Sequence, residues 1–200
     1  VAQADPELDG VFEEFWQGTE ARLFHWSENV PYLRTIADHN YYSGDSCGTP
    51  AWALTVSKMS LSECDGKLYA IWSQFNDIPN GIENDCAAWG YPDAYWGAAN
   101  ADIWLSISSD NGMTWDAQRN LTNSYTPHCD PVGGEVCQSD YWASMSRWGR
   151  PVITGEDWSA AEIVDPSGGS SLTNYYLDIQ FVNDLDAGGI VQDEGGWTNS

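Results

Sequence analysis

Basic residues are scarce in this chain of 200 residues: seven Lys and Arg face thirty Asp and Glu, for a formal net charge of -23. A field of this sign repels nucleic acids and anionic lipid headgroups, which excludes a nucleic-acid-binding function. Long hydrophobic runs are also lacking, since no apolar stretch approaches the roughly 20 residues needed to cross a bilayer. No basic and apolar leader follows Val1, so we expect a soluble chain without a membrane span, already processed if it was exported.

Helical periodicity is nearly absent, and only residues 6–17 could form a short helix, which Asp9-Gly10 interrupts. What the chain has instead is 42% hydrophobic residues, with twelve Trp and ten Tyr. These side chains are too abundant for a disordered acidic tail and supply large surfaces to bury. We therefore expect a folded, aromatic-rich, acidic protein.

Alternating polar and apolar residues predict strands over 52–61, 67–75 and 102–108. The polar turn 63–66 joins the first two strands into a hairpin, and a fourth strand is predicted at and after Thr114-Trp115. Four consecutive antiparallel strands form a meander. The sequence thus predicts an all-β fold.

Internal repeats support a modular architecture. The pattern Cys-x4-Trp-Ala begins at Cys47 and again at Cys137, and a strand ending in Asn-Asp recurs at Asn76 and Asn183. We read residues 1–42 as the end of a preceding unit or an N-terminal extension. Residues 43–128 then form one complete unit with a long loop insertion, and residues 129–200 form a partial following unit.

A four-stranded unit with apolar side chains on both faces must stack against neighbours, as the blades of a β-propeller do. Closure of a propeller takes typically 4–8 blades, more than this chain holds, so we expect an incomplete, propeller-like stack. Three explanations stay open: sequence that was processed off or not resolved, other chains that complete the assembly, or a sandwich instead of a propeller.

The five cysteines show no CxxC motif, no zinc spacing and no haem attachment motif. An oxidising, extracytoplasmic compartment fits this pattern. Cys129 and Cys137 flank a turn-rich segment and are predicted to form a disulfide, whereas the other pairings cannot be read from sequence. One thiol must be left over or pair with another chain.

Most of the thirty carboxylates cannot find a cationic side chain, so they must be solvated, hydrogen-bonded or bound to metal. A solvated acidic surface is one interpretation. The other is Ca²⁺, for which Asp184, Asp186 and Glu194 are the candidate ligands in a segment like the start of an EF-hand loop. Glu194 falls one position early for the bidentate ligand of such a loop.

Residues 108–115 match the pattern Ser-x-Asp-x-Gly-x-Thr-Trp at every fixed position. In such a turn an Asp accepts backbone N–H bonds, a Gly supplies positive φ, and Ser and Thr hydrogen-bond across the turn. The large Trp side chain is expected to pack under neighbouring strands. The five fixed positions are Ser108, Asp110, Gly112, Thr114 and Trp115.

This pattern is the Asp-box, and the chain resembles the sialidase-like, BNR-repeat β-propellers of secreted bacterial proteins. The resemblance covers roughly residues 50 to 200. It implies that the box joins the third and fourth strands of a blade and lies away from any active site. Asp110 is therefore expected to be structural and not catalytic.

Enzyme activity of sialidase type would need three arginines that converge on a substrate carboxylate, a Tyr–Glu pair and an Asp acid/base. The chain has five arginines but no Arg-Ile-Pro segment. A glycoside hydrolase whose pocket is completed by other sequence stays the alternative. The candidate arginines are Arg22, Arg34, Arg119, Arg147 and Arg150.

Aromatic residues in the long insertion could stack on sugar rings, or they could simply anchor loops. These candidate glycan-binding residues are Trp89, Tyr91, Tyr95 and Trp96. Asn120-Leu121-Thr122 is an N-glycosylation sequon. The function that we expect is a secreted or cell-surface binding or assembly module, whose exposed strand edges favour self-association or contact with other chains.

Overall fold

The computed structural model describes residues 20–40, 54–75, 85–86, 99–130, 134–151 and 175–185. These segments contain ten strands and no helix, which confirms the all-β prediction. The strands are β1 (Glu20–Ser27), β2 (Val30–Asn40), β3 (Val56–Cys64), β4 (Lys67–Phe75), β5 (Ala101–Ser108), β6 (Arg119–Asn120), β7 (Ser139–Met145), β8 (Arg150–Pro151), β9 (Tyr175–Tyr176) and β10 (Ile179–Asp184).

The largest sheet is an antiparallel meander in the order β3-β4-β5-β6. Cys64 pairs with Lys67 across a two-residue turn, in which Asp65 and Gly66 have φ of 50° and 70°. Such positive angles match the right-handed twist of the flanking strands, which explains the Asp-Gly sequence. The predicted meander is confirmed, but β3 begins at Val56 and not at residue 52, and β6 has only two residues.

Both faces of the meander are buried, because its central strands alternate two sets of apolar side chains. On β4, Ile71 belongs to one core cluster and Trp72 to another, and both are fully buried. On β5, Leu105 lies in the first cluster while Trp104 packs against the second. A sheet of this kind needs a neighbouring layer on each side to exclude water.

The hairpin β1-β2 supplies one of these layers. Its buried side chains Leu23, Ile36 and Ala37 pack with Val56 and Trp72 of the meander. The hairpin therefore covers one face of the four-stranded sheet.

A hydrogen bond fastens the hairpin to the sheet at one end. His39 Nε2 lies 3.0 Å from the carbonyl oxygen of Phe75, at the end of β4. Burial lowers the pKa of His39, and the hydrogen bond to Phe75 partly offsets this effect.

The antiparallel pair β7-β10 supplies the layer on the other face. Ala143 of β7 and the buried Leu177 pack with Ile103 and Leu105. The segment after β7 then follows the outer edge of β3, where Glu63 N donates to the carbonyl oxygen of Arg147 at 3.0 Å. This contact pairs part of an edge that would otherwise be open to other strands.

The described residues thus form three stacked layers, with a separate short pair of β8 and β9. No sheet among them closes on itself, so propeller closure stays a prediction. The four-stranded sheet lies within the predicted unit 43–128, and the predicted boundaries after residues 42 and 128 stay predictions as well. The described part of the chain contains no helix of the length and apolar character that a membrane span requires.

The cysteines among the described residues are buried; they are Cys64, Cys86, Cys129 and Cys137. Cys129 and Cys137 form the expected disulfide, with their Cα atoms 5.1 Å apart, and Cys86 is also disulfide-bonded. Cys64 is free and lies in the core cluster beneath β7-β10. Burial raises the pKa of the Cys64 thiol, which keeps it protonated and less reactive.

Replacement of a core side chain between two layers tests this arrangement. Leu105→Ala should lower the free energy of unfolding by about 2–5 kcal/mol, because Leu105 is 1% exposed and its loss leaves a cavity. Urea denaturation followed by Trp fluorescence measures the change. Leu61→Ala is the matched control, since Leu61 is 48% exposed and should cost far less. Equal losses for the two variants would contradict the two-sided core.

Candidate functional site

The Asp-box forms a tight turn directly after β5. Asn111 and Gly112 have φ of 65° and 87°, a left-handed conformation that Asn and Gly adopt most readily. Ser108 Oγ accepts a hydrogen bond from Gly112 N at 2.8 Å and donates one to Asp110 Oδ1 at 2.8 Å. The Ser108 hydroxyl therefore links the start of the turn to Asp110 and Gly112 and stabilises its conformation.

Asp110 is the hydrogen-bond acceptor at the centre of this turn. Its Oδ1 accepts from Thr114 N at 2.8 Å and its Oδ2 accepts from Thr114 Oγ1 at 2.6 Å. These bonds lower the pKa of Asp110 to about 2, the hydroxyl of Thr114 first and its backbone N–H second. A carboxylate held in this way is ionised and fully engaged, which fits a structural role.

The turn is also a contact between layers, since Trp115 packs against the cluster that includes Leu23 and Trp72. The ring of His25, from β1, lies 5.5 Å from that of Trp115 in an edge-on arrangement. A Cβ atom on Gly112 would overlap His25 Nδ1 and Cε1, so the histidine ring lies directly on the glycine.

The sequence did not predict the contact of His25 with Gly112 and Trp115. The usable signal is the alternation of β1, which places Ala21, Leu23 and His25 on its buried face.

A second cluster surrounds Asp102, a carboxylate that is 1% exposed. Its Oδ1 accepts from Thr122 Oγ1 at 2.8 Å, Ser124 N at 2.9 Å and Ser124 Oγ at 2.7 Å. Its Oδ2 accepts from Asn120 Nδ2 at 2.7 Å. The predicted glycan acceptor Asn120 thus uses its amide nitrogen inside the fold, and its glycosylation stays a prediction.

Two further buried carboxylates continue this polar layer. Asp140, which is 2% exposed, accepts from Asn183 Nδ2 at 2.8 Å, and its Oδ2 lies 2.7 Å from Ser124 Oγ. Asp85 accepts from Asn100 Nδ2 at 3.0 Å and from Thr126 N at 3.1 Å. Hydrogen bonds from amide, hydroxyl and backbone groups therefore compensate for the lack of cationic partners at these buried positions.

The predicted calcium site is only partly within the described residues. Asp184 ends β10, where it pairs in register with Ser139, whereas Asp186 and Glu194 lie outside the described residues. No group of three or more His, Cys, Asp or Glu in the described segments could hold a metal ion. The calcium prediction stays a prediction.

Four arginine side chains are described, and each contacts a different partner. Arg22 and Asp38 form an ion pair at 3.3 Å, as do Arg119 and Asp116 at 3.8 Å. The other two lie over aromatic rings, Arg34 over Tyr32 and Arg147 over Trp148. This distribution gives no support to an arginine triad.

The four aromatic residues predicted to bind glycans lie outside the described residues: Trp89, Tyr91, Tyr95 and Trp96. Among the described residues, other aromatic side chains are exposed. Trp142, on β7, is 46% exposed, and Lys58 Nζ lies 3.9 Å from its ring centroid. Lys58 and Trp142 both have positive φ, at 52° and 59°, and each lies at a break in strand register. Such irregular backbone re-aims side chains at sheet edges.

The contact of Gly112 with His25 predicts a large effect of one added methyl group. Gly112→Ala should destabilise the protein by about 1–2 kcal/mol through left-handed strain and by about 1–3 kcal/mol more through overlap with the imidazole. Urea denaturation measures both.

Gly66→Ala is the matched control for this substitution. Gly66 has φ of 70° but nothing within 4 Å of an added Cβ, so only the strain should appear. In a His25→Ala background, Gly112→Ala should cost no more than Gly66→Ala. A persistent excess would show that the histidine is not the obstacle.

The low pKa of Asp110 predicts acid sensitivity. A pKa depressed to about 2 in the folded chain, against about 4 in the unfolded chain, stabilises the fold above pH 4, and this contribution is lost as the pH falls to 2. Asp110→Asn should therefore lower the urea midpoint most above pH 4 and least near pH 2. Asp65→Asn, in the other tight turn, is the control for loss of one turn carboxylate. A pH-independent difference for Asp110→Asn would refute the assignment.

Comparison with family models, curated proteins and solved structures finds no match to this chain. The likeness to Asp-box propellers therefore rests on residues 108–115 and on the unit around them. A function for this protein has to be argued from its own geometry.

Proposed function

We propose that this protein is an extracellular assembly module, in which stacked β-sheets join a second copy of the chain through the outer face of the β1-β2 hairpin. The observation that carries the proposal is the exposure of large side chains on this hairpin. They are Phe24 at 45%, Trp26 at 59%, Tyr32 at 68% and Leu33 at 65%. Apolar groups of this size grouped on one element mark an interaction surface.

The composition of this hairpin is typical of an interface between proteins. Aromatic residues and arginine are enriched at interfaces and dominate their binding energy. Arg22, Phe24 and Trp26 alternate on the exposed side of β1, and Arg34 lies over the ring of Tyr32 on β2. Arg22 lies on the exposed side of this hairpin, and a second copy with a net charge of -23 offers it further carboxylates.

Continuity of the stack supports a second copy as the partner. The buried side of the same hairpin already packs against a sheet of this chain, through Leu23 and Ile36. At the other end of the stack, Phe181 and Val182 of β10 are 43% and 42% exposed. A copy that stacks its β10 end on the β1-β2 hairpin would repeat the contact between layers and give an open, head-to-tail array.

The disulfide between Cys129 and Cys137 favours an oxidising compartment, as expected for a secreted or surface protein. The hydrolase alternative gains no supporting observation from the described residues. Their arginines have separate partners, and Asp110 is held by the turn. Assembly is the function that this geometry supports best.

The test is the mass of the chain in solution. At tens of micromolar, sedimentation velocity should show species above 22.1 kDa. Their fraction should rise with salt, because salt screens the repulsion between two acidic copies. Trp26→Ser with Tyr32→Ser should shift the protein to monomer.

Met113→Ser is the matched control for this double variant. Met113 is 53% exposed on the Asp-box turn and belongs to neither β1 nor β2, so its replacement should leave association unchanged. A monomer at every concentration and salt level would refute the assembly function. Retention on a glycan array that is lost in the double variant would assign the face to sugars instead.

A further inference from the structure

Trp142 has a strained backbone conformation although its side chain lies outside the core. Its φ is 59°, in the left-handed region that a bulky residue rarely adopts. The Trp142 side chain is 46% exposed, whereas the neighbouring Tyr141 and Ala143 are buried. Strain of this kind persists only where the surrounding structure enforces it, and it clusters at binding sites. Packing within the chain does not account for Trp142, which indicates a contact with another molecule.

A β-bulge presents this tryptophan at the surface. The pairing of β7 with β10 shifts between Gln180 and Val182. Two residues of β7, Trp142 and Ala143, consequently lie opposite Phe181 alone. Ala143 belongs to the core cluster, whereas Phe181 and Val182 are 43% and 42% exposed. The bulge therefore places Trp142 at the same level of the sheet as exposed apolar side chains of β10.

Lys58 adds a positive charge beside this ring. It also has a left-handed φ, of 52°, at a register shift of β3, and its Nζ lies 3.9 Å from the centroid of the Trp142 ring. In the described part of the chain the ion pairs involve Arg22 and Arg119 and not Lys58. In a chain with thirty Asp and Glu, this ammonium group is thus available to a carboxylate of another molecule.

We propose that Trp142, Phe181 and Lys58 form an acceptor face for the outer face of the β1-β2 hairpin of a second copy. This acceptor face rests on the assembly function proposed above and deepens it, because it names the residues that receive the hairpin. Each copy then has one hairpin face and one acceptor face, so the contact is heterologous and copies add head to tail.

The two faces lie at opposite ends of the stack. The hairpin packs on the side of the meander that carries Trp72, and the pair β7-β10 packs on the side that carries Ile71. Their outer faces therefore point in opposite directions, and one chain cannot bring them together. A second copy does so by the same stacking of layers that is already present on each side of the meander.

The charges of the two faces are complementary. The hairpin exposes Glu28 at its turn and Asp38 on β2, whose side chain is 49% exposed. Lys58 brings the opposite charge to the acceptor face. A contact between two hairpins would leave Trp142 and Phe181 facing solvent, whereas the heterologous contact buries the exposed aromatic side chains of both faces.

Complementary variants test this direction of assembly by sedimentation velocity. Trp142→Gly with Phe181→Ser removes the acceptor face, and the variant should fold because Gly adopts the left-handed φ of position 142 readily. Trp26→Ser with Tyr32→Ser removes the hairpin face. Each double variant alone should be a monomer. Their equimolar mixture should form pairs of two chains and nothing larger, because a pair uses the one intact face of each variant.

Trp148→Gly is the matched control for the loss of an exposed tryptophan. Trp148 is 55% exposed and has the cation of Arg147 over its ring, but it belongs to neither β1-β2 nor β7-β10. This variant should assemble as the wild type does. Lys58→Glu, added to the variant that lacks the hairpin face, should raise the dissociation constant of the mixed pair about tenfold, because it places like charges together.

The outcomes separate this acceptor face from the assembly function as a whole. If the wild-type chain assembles but the mixture stays monomeric, or if Trp142→Gly with Phe181→Ser assembles as the wild type does, the acceptor face is wrong and the assembly function stands. Should that double variant fail to fold, Lys58→Glu in the wild-type chain decides, and unchanged association would overturn the acceptor face. A wild-type chain that is monomeric throughout would remove both proposals.

Discussion

The fold depends on the burial of the meander on both of its faces. Trp72 points to the hairpin β1-β2 and Ile71 to the pair β7-β10, and neither side chain reaches water. Burial of large apolar side chains is the main stabilising contribution in such a small sheet, and one layer alone cannot provide it. The three layers are therefore interdependent, and the proposed second copy would bury the exposed aromatic residues of the outer hairpin in the same way.

The Asp-box turn links local and tertiary structure. Within its seven residues, hydrogen bonds join the side chains of Ser108, Asp110 and Thr114 to one another and to the backbone. The glycine of the turn then leaves the space in which the ring of His25 lies. The turn has to be small because the hairpin β1-β2 packs against it. The residue pattern of the Asp-box therefore reflects the packing of two layers as well as the conformation of the turn.

Buried carboxylates distinguish this protein from one with a purely apolar interior. Asp102 and Asp140 lie where the meander meets the pair β7-β10. Hydrogen bonds with amide and hydroxyl groups, and not ion pairs with cations, stabilise these carboxyl groups. Hydrogen-bonded polar groups of this kind specify register, because a slip of one residue would leave them unpaired. The acidic composition therefore acts inside the fold as well as on its surface.

The sequence by itself determined the local elements: the meander strands, the Asp-Gly turn at Asp65 and the Asp-box follow from alternation and turn chemistry between neighbouring residues. The disulfide between Cys129 and Cys137 could also be predicted from the sequence, because few residues separate the two cysteines. Only the tertiary structure placed His25 on Gly112 and Ser124 between two aspartates, since these contacts join residues distant along the chain and from separate layers. Alternation shows which side of a strand is buried, whereas the choice of neighbour depends on how whole layers fit together.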